Sequence, residues 1–162
     1  MRDDPECRCY VDHLIAEHRR LHALVRQTHA AMARSIGPDE QSFAEVRRVL
    51  NRLRMELVHH FAEEEDGGCL EEAVSRCPRL APEAHLIEAD HGQILSALDR
   101  LVAQFQAEPP TPTRQLALQR DLGELCRHLR EHEHAENQLL AQGFGINVNG
   151  EENEQPALML DV

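Results

Sequence analysis

The chain has 162 residues, 41% hydrophobic and 28% charged, enough for one domain with a real core. Acidic residues outnumber basic ones 29 to 17 for a formal charge of −12, which argues against nucleic acid or an anionic membrane as partner. No apolar run approaches the ~20 residues of a membrane span, and MRDDPECRCY lacks the apolar segment of a secretory signal, so the expected compartment is the cytoplasm. Five cysteines in no framework spacing fit a reducing compartment, with Cys7 and Cys9 as a weak thiol pair near the terminus. Eleven histidines, no tryptophan, one tyrosine and four phenylalanines leave a core of Leu, Val, Ile and Ala with room for imidazole.

A first helix is expected from near Pro5 to the stop at Gly37-Pro38. Ser42 to Glu45 reads as a capping box opening a second helix that ends at Gly67-Gly68. The short segment CLEEAVSR leads through Pro78 to a third helix from about Pro82 to Ala107. After EPPTPT, Thr111 as N-cap and Pro112 at the first turn open a fourth helix, continuing to Ala141 and closed by Gly143. Four long helices with short breaks and no competing strand pattern predict an all-α, up-down-up-down antiparallel four-helix bundle over residues 1–144. Residues 145–162 have no usable periodicity and are expected to form a flexible tail.

Apolar residues recurring at steps of three and four mark the inward face of each helix. In the fourth helix Leu118, Leu122, Leu125 and Leu129 lead to His132 and Glu136, then Leu139 and Leu140. In the second, Val46, Val49, Leu53 and Leu57 lead to His60 and Glu64. Each His-x3-Glu pair projects from one face and can grip one ion. The third seam, Ala84, Ile87, His91, Ile94, contains His91, with His85 well off it. The first seam, Val11, Leu14, His18, Leu21, contains His18, with His22 beside it. Folding the first hairpin about residue 38 puts His60 opposite residue 16, so at ~1.5 Å rise per residue His18 misses that level by ~3 Å and His22 by ~9 Å.

The candidate metal ligands are therefore His18, His60, Glu64, His91, His132 and Glu136, with His22, His85 and His128 less favoured. Six inward polar groups at one level would be very costly without a cation, because buried charges are paired or bind metal. A second template competes. Glu56-x-x-His59 and Glu131-x-x-His134, with Glu17 and Glu88, have ferritin-like di-iron spacing. The seam rejects it, since Glu131, Glu133 and His134 fall on a face read as solvated.

EHRRL (17–21), HFAEE (60–64), EADH (88–91) and HEHAEN (132–137) together resemble the successive metal motifs of hemerythrin-like (HHE cation-binding) domains, over about residues 8–142. The resemblance implies a hemerythrin-like bundle with two non-haem Fe ions bridged by carboxylates and an oxo or hydroxo group; Mn or Zn is less favoured. Oxygen-carrying members have His-x3-His on the third helix, where this chain has Ile87 before His91, and end on His-x4-Asp, where it has Asn137. Four His with two Glu is similar instead to the branch of iron-sulfur-cluster repair and nitric-oxide-reducing proteins. The expected function is binding or reduction of O2, NO or peroxide in oxidative or nitrosative stress or in iron handling, served by a redox partner protein. The alternative is a non-catalytic oxygen, NO or iron sensor or an iron store.

Overall fold

The computed structural model describes residues 5–34, 40–66, 68–106 and 111–145, with side chains described from residue 11 onward. The Cys7 and Cys9 thiols, the Gly37-Pro38 break and the tail from residue 146 lie outside the described residues. The helices are α1 (Pro5–Arg34), α2 (Glu40–Glu65), α3 (Cys69–Arg76), α4 (Ala81–Gln106) and α5 (Pro112–Phe144), with a single 3-10 turn, Pro78–Leu80, leading into α4. The described residues contain no strand, and no helix among them is long and apolar enough to cross a membrane.

Helix boundaries follow local chemistry, with two corrections. Thr111 caps α5 as expected, its hydroxyl accepting from the Arg114 amide at 3.4 Å while Pro112 occupies the first turn. Ser42 does not open the second helix: α2 already includes Glu40, so Ser42 lies inside it, and Glu45 turns to Arg48 at 2.8 and 2.9 Å. Gly143 does not end α5 either. The helix runs on to Phe144, and Gly145 takes the left-handed conformation (φ 64°) that glycine tolerates best. Gly143 answers to packing instead, because a Cβ there would sit 2.6 Å from the Ala73 Cβ of α3.

The four long helices pack as a ring, α1 on α2, α2 on α4, α4 on α5 and α5 back on α1, which is the up-down-up-down arrangement. The short α3 crosses one end, resting mainly on α5. Two apolar clusters fill the interior. The larger contains Leu21, Leu50, Leu57, Phe61, Ile94, Leu98, Leu122 and Leu129. The smaller lies under α3 and joins Leu14, Leu70, Ala73, Leu80, Ile87 and Leu139. α1, α4 and α5 pass from one cluster to the other, and between Leu14 and Leu21, Ile87 and Ile94, and Leu129 and Leu139 their inward positions are polar; α2 ends on the same level, with His60 and Glu64 following Leu57 around the buried Phe61.

Candidate metal centre

That polar layer consists of His18, His60, Glu64, His91, His132 and Glu136, none more than 7% exposed. Each helix delivers its residues by continuing its seam, so no loop is needed to place them. The two carboxylates stand centrally and the imidazoles surround them in two pairs. Glu64 turns Oε1 to His60 Nε2 at 3.1 Å and Oε2 to His91 Nε2 at 3.3 Å. Glu136 turns Oε1 to His132 Nε2 at 3.0 Å and Oε2 to His18 Nε2 at 3.3 Å. Two four-residue donor sets result, His18/His60/Glu64/Glu136 and His91/His132/Glu64/Glu136, each with one ligand atom per residue within 4.8 Å of the others. Both carboxylates belong to both sets.

These close approaches are not aligned as hydrogen bonds. The four Nε2 atoms and all four carboxylate oxygens are buried without a hydrogen-bond partner. At about 1–3 kcal/mol for each unsatisfied buried polar group, eight such atoms would rival the ~5–15 kcal/mol stability of a whole domain. The donor set therefore fits a metal cation, which would satisfy all eight atoms at once. Without one, protons take its place. Burial, reinforced by the nearby charge of Glu136, pushes the Glu64 carboxyl up to about 11. Burial also works to raise Glu136, but the imidazoles of His132 and His18 outweigh it and hold that carboxyl well below its ordinary range. Burial likewise opposes charge on His18 and His132, yet Glu136 and the other carboxylates beside them raise both. His60 is lowered, by burial first and by His18 second. Like carboxylates in one dry site cannot both ionise cheaply.

Acidic side chains orient two of the imidazoles and place a third beside a carboxylate. His60 Nδ1 donates to Glu17 at 3.1 Å and His91 Nδ1 to Glu65 at 2.7 Å, while Asp90 lies 3.3 Å from His132 Nδ1. Holding the proton on Nδ1 leaves each Nε2 lone pair facing the centre. Phe61 closes the layer on its apolar side, stacked on His91 with centroids 4.1 Å apart and edge-on to His132. Glu65 and Asp90 escaped the sequence reading because they sit one position off the seam, and Glu17, named there only for the ferritin-like template, instead holds His60.

Of the less favoured histidines, none reaches the layer's centre. His85 is exposed against Glu88, and His128 pairs with Asp90 at 2.8 Å. His22 pairs with Glu133 at 2.7 Å, which corrects the reading of Glu133 as solvated: it is 5% exposed, between α1 and α5. His59, Glu131 and His134 of the ferritin-like template are exposed, so that set does not converge.

Fold and layer together define a cation-binding helical bundle. The family model described as the hemerythrin HHE cation binding domain matches residues 9–144. The chain belongs to that family, whose domain binds metal cations. No curated protein and no solved structure matches the chain.

Proposed function

We propose that the chain is a non-haem di-iron protein that binds or reduces a small molecule such as O2, NO or peroxide. The observation behind this reading is the pair of donor sets that share Glu64 and Glu136. One cation would be held by His18 and His60, the other by His91 and His132, with both carboxylates in common. Imidazole and carboxylate suit iron, manganese and zinc. Iron is favoured because shared inward carboxylates in a helical bundle are the di-iron and di-manganese arrangement. Bound iron would supply one-electron chemistry and coordination positions for a diatomic ligand, since four protein atoms leave a six-coordinate ion unfilled.

The chain's own residues do the rest. Glu17 and Glu65 fix the His60 and His91 imidazoles against rotation, and Glu17 carries a carboxyl held below its usual range by His60 and Glu63 in spite of burial. Phe61 and the two apolar clusters keep bulk water off the layer, which strengthens every electrostatic contact within it. Glu64 gives up its proton when a cation arrives, so metal uptake releases acid.

The test is anaerobic purification with metal analysis, followed by optical spectra on adding O2, NO or peroxide. Two irons per chain and multiple turnover are the expected result. A stable adduct without turnover would assign a binding module, and fewer than one metal per chain after iron loading would overturn the reading.

A further inference from the structure

Beside the layer, between α1 and the C-terminal end of α2, lies an open cavity of about 430 Å³ whose polar lining includes His13, Glu17, Glu63, Glu64 and Asp66. One wall is Glu64, 4% exposed and with both carboxylate oxygens lacking a hydrogen-bond partner. At the rim His13, Glu17 and Glu63 bring one nitrogen and two carboxylate oxygens within 4.8 Å of one another. His13 Nε2 lies 3.8 Å from Glu17 Oε1 and 3.7 Å from Glu63 Oε2. His59 stands 3.5 Å from the other Glu63 oxygen, and the exposed Arg20 is 3.9 Å from Glu17.

These residues are sequence neighbours of the buried ligands without being among them. Glu17 precedes His18 and Glu63 precedes Glu64, and one residue turns a helix by about 100°, so the outer trio faces the cavity where the inner set faces the core. Glu17 spans both environments: Oε2 accepts from His60 Nδ1 at 3.1 Å, and Oε1 belongs to the outer trio.

We infer that His13, Glu17 and Glu63 form a second, outer site for a first-row divalent cation, and that a cation held there passes through the cavity to the buried layer. Beside the buried Glu64, three further acidic side chains, Glu17, Glu63 and Asp66, line the cavity against a single imidazole, and a cleft of one charge sign focuses counter-ions. One imidazole with two carboxylates favours Fe(II), Mn(II) or Co(II) over Mg(II) or Ca(II), which take oxygen ligands. With three ligands, two of them well exposed, the site holds its cation more weakly than the buried layer and can release it inward.

The transfer half rests on the proposed iron centre, and the experiment separates the two. The full chain is first loaded anaerobically with two equivalents of Fe(II), which fill the tighter buried layer, then titrated with Mn(II) while free Mn(II) is followed by its EPR signal. Wild type should retain one further Mn(II) per chain and the variant H13A/E63Q none, at equal helical CD. In stopped-flow loading of the metal-free chain with Fe(II), H13A/E63Q should fill the layer more slowly, on the order of ten-fold, and reach the same final iron content. E124Q, at an exposed carboxylate on α5, controls for net charge and should load like wild type. H13A alone, at a position 60% exposed, repeats the test with the least risk to folding. Wild type without the extra Mn(II), or H13A/E63Q binding and loading as wild type does, overturns the inference. If wild type takes up fewer than two irons yet retains the Mn(II) that H13A/E63Q loses, the iron centre falls and the outer site stands.

Discussion

The larger apolar cluster and the polar layer next to it occupy the same seams of the same helices at the same burial, yet they differ in what completes them. Leu50, Leu57, Leu98 and Leu122 are fully buried and need nothing further, since packed side chains are their own partners. Glu64 and Glu136 are buried as deeply and have no partner for any of their oxygens. Burial alone does not separate a core from a site. Unsatisfied donor atoms do, because only they make the fold depend on something outside the chain.

The comparison can be broken most sharply by withdrawing the cation. Stripping the loaded protein with a chelator should lower its unfolding free energy by about 4 kcal/mol relative to metal at a thousand-fold excess over Kd, read as a fall in Tm. Glu136→Ala should abolish that difference and cut metal content to below one ion per chain, because both donor sets use Glu136. Next in size, Leu98→Ala in the larger cluster should cost about 2–5 kcal/mol in denaturant unfolding, equally with and without metal, and leave metal content unchanged. A sharper version converts the layer into core. Glu64→Leu with Glu136→Leu should bind no metal and be more stable than the metal-free wild type by about 1–4 kcal/mol; a double variant less stable than that would show that the carboxylates contribute to folding without a cation.

The smallest effect lies outside the layer. Burial, aided by the charge of Arg130, lowers the pKa of His29, which contacts Cys126 Sγ at 3.3 Å. Below pH 6.5 the unfolded chain takes up a proton that folded His29 refuses, so this contribution is present above pH 6.5 and is lost as the pH falls through the lower folded value. The gap in denaturant midpoint between wild type and His29→Gln should therefore change between pH 7 and pH 5. A constant gap would remove His29 from the acid response.

The seams explain how much could be seen beforehand. His60, Glu64, His132 and Glu136 continue leucine rows, so periodicity alone placed them inward, and hairpin depth separated His18 from His22. What depends on the neighbouring helix was not legible. Glu133 reads as surface along α5 because its burial comes from α1, through His22. Glu65 and Asp90 likewise become partners of His91 and His132 only when α2 meets α4 and α4 meets α5. The short α3 was visible only as a break, since a helix of 8 residues carries too little periodic signal to be distinguished from a turn.

That short helix leaves the molecule uneven in its resistance to opening. One side of the layer is sealed by the interlocked length of four long helices, the other by α3, whose hold depends on Cys69, Leu70 and Ala73 and on the glycine that lets α5 approach. A helix of 8 residues has no persistence of its own in water, so α3 should be the first element to yield its amide protons to exchange with solvent, well ahead of α4. Fluctuations that leave the bundle intact would thus unroof the carboxylates from one end only, giving the layer a hinge side and a fixed side.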